Sequence, residues 1–176
     1  MKKENILLAF LFGLLTFTGF AQEKFFNKAG NSKSQSVMEL AQKDDRFSIF
    51  LSLLKASGMD TSMEYADGYT VFMPVNEAFG EMKLKKVSKL TDPDHQLKLV
   101  NFVKNYILPN KVHSYDFKNN QVIDLEGDKN IEITTDDTTN MVYIGGATIV
   151  QGDIESEDAV VHVINELITP TPEFMF

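Results

Sequence analysis

Tyr69-Thr70-Val71-Phe72-Met73-Pro74-Val75-Asn76-Glu77-Ala78-Phe79 is the stretch on which the fold turns. Its first five residues, aromatic, β-branched or apolar, have the composition of a short buried strand. Pro74 has no N–H to extend a ladder, so the strand ends there. Asn76 stands where an N-cap belongs, with a side chain placed to accept from the N–H of Ala78 or Phe79. The helix behind it should turn Phe79 and Met82 inward.

Upstream of this stretch the pattern is helical. Ser36 is placed to cap a short helix over Val37 to Lys43, and Asp44-Asp45 to open a second. There Phe47, Phe50, Leu51 and Leu54 recur at i, i+3, i+4 and i+7, and Gly58 suits the left-handed position that closes such a helix. Downstream, Asp92-Pro93 is the clearest helix start in the chain, a capping carboxylate before a proline at the first helical position. Leu99, Phe102, Val103 and Tyr106 make its apolar stripe, widened by Leu97 and Val100, and Pro109-Asn110 stops it. The period then changes to two. Val122 to Leu125, Ile131 to Thr134, Met141 to Ile144, Ala147 to Val150 and Val160 to Ile164 read as strands, separated by Gly-, Asp- and Asn-rich turns. Helices first and strands after define an α+β domain.

The two ends lie outside that domain. Lys2-Lys3, an uncharged stretch to Gln22 and Gly19-Phe20-Ala21 match a signal peptide over residues 1–21, cleaved after Ala21. The apolar part, interrupted by Thr and Gly, is too short for a membrane anchor. Residues 22–36 read as a flexible leader, 37–170 as the domain and 171–176 as a C-terminal tail, docked on the fold. The expected location is therefore periplasmic, cell-surface or secreted.

Composition removes several function classes. The 176 residues carry 17 basic and 25 acidic side chains, a formal net charge of −8. Nucleic acid needs a basic face, and an anionic membrane surface repels such a chain. There is no Cys, so disulfides, thiolate metal sites and a cysteine nucleophile are excluded. The sequence has no G-x-S-x-G, G-x-G-x-x-G, phosphate-loop or H-E-x-x-H pattern. His95, His113 and His162 fall on a helix start, a loop and a strand, without the spacing of metal ligands. Asp124 to Thr135 fails as a calcium loop, with Lys129 where Gly is needed and Thr135 where Glu is needed. No metal and no cofactor is implied.

Three segments together resemble the fasciclin (FAS1) domain family. Tyr69 to Phe79 is similar to its first motif, a T-V-F-A-P-T-[ND]-x-A-F run. Ala159-Val160-Val161-His162-Val163-Ile164-Asn165-Glu166-Leu167-Ile168-Thr169-Pro170 resembles its second, a G-V-V-H-V-I-D-x-V-L-x-P run. Tyr106 stands where the family has a Tyr-His pair, although Ile107 replaces the His. Other departures are Met73 for a small residue, Asn165 for Asp and Asp158-Ala159 for Asn-Gly. The resemblance implies a β-wedge or sandwich with helices packed on it, mostly from the first half of the chain. It implies a non-catalytic adhesion module whose partner is a protein or polysaccharide at a cell surface or in a matrix. It also singles out Tyr106 and an Asp-Ile pair, here Asp153-Ile154, implicated in integrin binding in animal members.

Each of these residues has a structural role open to it as well. Thr70, Phe72, Pro74, Asn76, Phe79 and His162 serve a strand, its stop, a capped turn and a strand hydrogen bond. Tyr106 on an apolar stripe reads as core. Asp153-Ile154, between two expected strands, is read as a loop that either meets a partner or folds Ile154 back as a plug. Two rival functions stand beside the adhesion module: a secreted hydrolase or carbohydrate-active protein using a carboxylate pair, and a structural envelope protein without a specific ligand.

Overall fold

A computed structural model describes residues 36–63, 68–80, 84–125 and 129–172. The expected signal peptide and the leader before Ser36, Met82, the turn at 126–128 and the Phe174-Met175-Phe176 run lie outside the described residues. Helix α1 (Val37–Gln42) starts at Ser36, whose hydroxyl accepts from the Glu39 N–H. Asp44 accepts from the Arg46 N–H and pairs with its guanidinium, which holds the carboxyl below its ordinary range. A 3₁₀ turn, Asp45–Phe47, leads into α2 (Ser48–Ser57). Gly58 closes α2 at φ 75°, its N–H donating to the Lys55 carbonyl. After α3 (Met59–Met63) come strand β1 (Tyr69–Pro74) and a 3₁₀ turn, Asn76–Phe79.

Two helices follow, α4 (Leu84–Leu90) and α5 (Gln96–Lys104). Asp92 caps the 3₁₀ turn Pro93–His95 that runs into α5, accepting from the Asp94 N–H at 3.1 Å. Leu99 and Val103 of α5 are buried, as the stripe requires. Leu97 is not: it lies off the stripe and is 80% exposed. Among the described residues no helix is long and apolar enough to cross a membrane.

The remaining strands are β2 (Ile107–Leu108), β3 (Gln121–Leu125), β4 (Lys129–Asp136), β5 (Met141–Ile144), β6 (Ala147–Glu155), β7 (Ala159–Ile164) and β8 (Thr171–Pro172). They join in the order β2-β1-β7-β6-β5-β4-β3, with β8 on β4. β1 and β7 pair in parallel, Phe72 opposite His162, and every residue of both is buried. The other pairs are antiparallel. A parallel pair must be covered on both faces, which explains why both strands are apolar apart from Thr70 and His162. The observed sheet, curled over helices drawn mainly from the first half of the chain, is the expected α+β wedge.

Two local expectations are corrected. Asn76 does not cap its own turn, where Val75 is the first flanking residue and no side-chain cap exists. Its Oδ1 accepts from the Ile49 N–H (3.0 Å) and its amide donates to the Asp45 carbonyl (2.8 Å) and Ser48 Oγ (3.1 Å). It thus fastens the start of α2 to the end of β1. The strand expected to end at Val150 continues to Glu155, so Asp153-Ile154 is not a loop. At the start of the segment expected as a tail, Thr171 pairs opposite Asn130 and Pro172 opposite Lys129, forming β8. At the β5–β6 hairpin Gly145 and Gly146 both have positive φ, as a primed two-residue turn demands. A Cβ on Gly145 would lie 2.9 Å from the Ile168 side chain, so the turn needs glycine on steric grounds too.

Candidate functional site

The pairing of β6 with β7 slips twice, between Ile149 and Gln151 and again between Gln151 and Ile154. Such a bulge lets a strand continue while re-aiming a residue. Asp153 takes the left-handed conformation, φ 59°, one of the few side chains that tolerate it. Gly152 beside it is packed tightly: a Cβ there would stand 3.2 Å from His162 Nδ1 and 3.4 Å from Ser114 Cβ. Ile154 returns to register opposite Val161 and is 9% exposed. Its side chain belongs to the core, whereas the Asp153 carboxylate turns outward and is fully engaged. Asp153 Oδ1 accepts from the Ser114 N–H at 2.7 Å and Oδ2 from the Ser114 hydroxyl at 2.5 Å.

The Asp153 N–H donates to His162 Nδ1 at 3.3 Å, and His162 Nε2 meets the Val112 carbonyl at 2.9 Å. An N–H on one side and a carbonyl on the other require a neutral ring with its proton on Nε2. His162 is fully buried, stacked on Phe72 (5.7 Å) and tilted against Phe117 (5.8 Å). Burial pushes its pKa down, only partly opposed by the Val112 carbonyl and the Asp153 charge. Thr70 completes the seam: its buried hydroxyl donates to the Asn110 carbonyl (2.6 Å) and accepts from the Val112 N–H (2.8 Å). Thr70, His162 and Asp153, from β1, β7 and β6, thereby tie down one segment, residues 110–114.

That segment presents a 3₁₀ turn, Ser114–Asp116, whose middle residue is Tyr115. The Tyr115 ring lies flat on His113, centroids 5.1 Å apart and planes 11° apart, yet it is 75% exposed. His113 is fixed in turn, its N–H donating to Asp116 Oδ2 and its Nε2 lying 3.5 Å from Glu155 Oε1. Beside Tyr115 a cleft of about 320 Å³ runs to the β4–β5 hairpin, lined by Phe117, Asp136, Asp137, Asn140 and Met141. Asp136 accepts from Thr139 Oγ1 (2.8 Å) and the Thr138 N–H (2.9 Å), and these bonds lower its pKa. Met141 is 45% exposed.

Tyr106 is elsewhere. It is wholly buried on the helical side, against Phe50 of α2 (5.3 Å) and Phe102 of α5 (5.1 Å). Its hydroxyl closes no hydrogen bond, and burial pushes its pKa up, offset in part by the Ile168 backbone. Among the described residues no three His, Asp, Glu or Cys side chains gather to hold a metal ion. Ser114 and Tyr115 escaped the sequence reading, because an isolated aromatic between polar neighbours has no period to betray it. Their only signal was Tyr flanked by Ser and Asp, a turn composition around a residue that turns rarely expose.

A family model for the Fasciclin domain matches residues 45–170. The chain is similar to protein sll1483 of Synechocystis sp., 25% identical over 144 residues that cover 82% of this chain and 78% of that protein. It is 27% identical over 136 residues to the transforming growth factor-beta-induced protein ig-h3 of Sus scrofa, covering 77% of this chain and 19% of that protein. Among solved structures it resembles a FAS1 domain pair from the insect cell adhesion molecule Fasciclin I. The TM-score is 0.65 at 14% identity, over 78% of this chain and 51% of that one.

Proposed function

Because the chain belongs to the fasciclin domain family, we propose that it is an exported, non-catalytic module that binds a protein or polysaccharide at a cell surface or in a matrix. The insect protein with the similar fold is itself a cell adhesion molecule. Export rests on the Lys-Lys, apolar, Gly-Phe-Ala pattern of residues 1–21. The observation that carries the binding surface is Tyr115, an exposed ring already immobilised on His113. A rigid aromatic loses little conformational freedom on binding, which is why tyrosine is favoured at contact hot spots. Asp153 serves this surface indirectly, by holding the Ser114 end of the turn, and Ile154 anchors the bulge in the core. A non-catalytic role fits the acids whose affinity for protons is displaced. Asp44 and Asp136 are both held low by local hydrogen bonds, the opposite of what a general acid requires.

The test is a bead-adhesion measurement with the exported protein on surfaces coated separately with fibrillar collagen and cellulose. Retention on at least one surface is expected, reduced at least tenfold on that surface by Tyr115→Ala with an unchanged melting temperature. Asp153→Ala should give a smaller loss. Full retention by a folded Tyr115→Ala variant on every surface would remove the turn from the binding site.

A further inference from the structure

A second feature stands apart from the Tyr115 turn. Helix α4 reads Leu84-Lys85-Lys86-Val87-Ser88-Lys89-Leu90, three lysines and no acid, in a chain where acids outnumber bases 25 to 17. Lys86 and Lys89 are three apart and share a helix face. With Leu90, His95 and Lys98 of α5 they line a cleft of about 270 Å³. None of the three ammonium groups has an ion pair or hydrogen bond among the described residues. Like charges that share a cleft repel one another, and an anion bound between them relieves that repulsion. His95 Nδ1, on the same cleft, is buried without a hydrogen-bond partner.

We propose that this cleft between α4 and α5 binds an anionic polysaccharide. The repeated carboxylates or sulfates of such a chain meet the three ammonium groups. The apolar face of a sugar ring covers Leu90, and a ring hydroxyl satisfies His95 Nδ1. The occupant must be a thin strand. Asp92 and Asp94 are exposed in the turn between Leu90 and His95, and a flat anionic membrane would confront them and the wider acidic surface beyond. A nucleic-acid strand would need stacking aromatics, which the lining residues do not provide.

Affinity electrophoresis of the exported protein in gels containing polygalacturonate tests this. Wild type should be retarded by polygalacturonate and not by dextran, and added salt should release it. The triple variant Lys86→Gln, Lys89→Gln, Lys98→Gln should lose at least tenfold in affinity with an unchanged melting temperature. A control triple variant at exposed Lys43, Lys55 and Lys118, with the same change in net charge, should keep wild-type retardation, as should Tyr115→Ala. Failure of wild type to be retarded at low salt would overturn the proposal. So would equal retardation of the cleft variant, equal loss in the control variant, or equally tight binding to phosphatidylglycerol vesicles. The Tyr115 reading survives any of these results, since its own variant is measured separately.

Discussion

Phe72 has a different kind of interior on each side. Its amide N–H donates to the Tyr106 carbonyl, beyond which lie Phe50 and Phe102, and its ring stacks on His162. Tyr106 and His162 are equally sealed from water. The helical side is dry: even the Tyr106 hydroxyl goes without a hydrogen bond. The strand side is wired, with Thr70 and His162 each meeting two partners that belong to other segments. Equal burial therefore conceals unequal chemistry. Area and packing hold the first region, and directional bonds hold the second, where they also fix the segment that carries Tyr115.

The largest effect should come from breaking the dry side. Tyr106→Ala empties a site walled by Phe50 and Phe102 and should lower stability by about 3–5 kcal/mol, the range for truncating a buried aromatic. Urea unfolding of the variant measures it. A loss below about 1 kcal/mol would mean that Tyr106 is not part of the core, and would restore it as a contact residue.

Next in size is Thr70→Val, which keeps the shape and removes only the hydroxyl. The Asn110 carbonyl and the Val112 N–H then lose their partner together, at a cost of about 1–3 kcal/mol for buried groups left unmade. Segment 110–114 should loosen with it, seen as faster amide exchange at Val112 and Ser114. A neutral substitution with unchanged exchange would show that the wired side is held by packing after all.

Much of this was legible beforehand and some was not, for reasons that particular residues make clear. Gly58, Asp92-Pro93 and Ser36 act through neighbours a few positions away, so their roles can be read locally. Asn76 has the right chemistry for a cap, but the helix start it serves is that of α2, far back in the chain. Gln151-Gly152-Asp153 has the composition of a turn, and Asp153 does take a turn conformation, yet the strand resumes because Ile154 and Glu155 recover partners on β7. β2 and β8, two residues each, are too short to show a period. The α4–α5 cleft depends on bringing Lys98 next to Lys86 and Lys89, which only the packing of two helices decides.

The two regions should also part on acidification. Because burial lowers the His162 pKa in the folded state, the unfolded chain binds that proton more readily. Stability from this group is fully present above pH 6.5, the ordinary histidine value, and is lost as the pH falls below it. Protonation puts a donor on Nδ1 facing the Asp153 N–H, so the bulge should open first. Comparing wild type with His162→Gln by urea unfolding from pH 7.5 to 5 isolates the contribution. The wild-type slope should be steeper below pH 6.5, and parallel curves would remove His162 from the account. Tyr106 offers no such response in this range.

The smallest change, Tyr106→Phe, decides whether the dry side is dry. The substitution removes a hydroxyl that closes no hydrogen bond and was stripped of water to be there. Losing a polar group under that penalty should leave stability unchanged or raise it, by up to about 1 kcal/mol once the small void is allowed for. Alkaline pH gives an independent reading. Burial raises the Tyr106 pKa above the ordinary 10.0, so the folded state resists ionisation and the unfolded state does not. Stability from the neutral phenol is present below pH 10.0 and is lost as the pH rises past it, and Tyr106→Phe should abolish that part of the loss. Thr70→Val and Tyr106→Phe thus each delete one buried hydroxyl from opposite neighbours of Phe72, with a cost expected for the first and none for the second. If Tyr106→Phe instead destabilises by more than about 1 kcal/mol, the hydroxyl has a working bond to the Ile168 backbone, and both sides of Phe72 are wired.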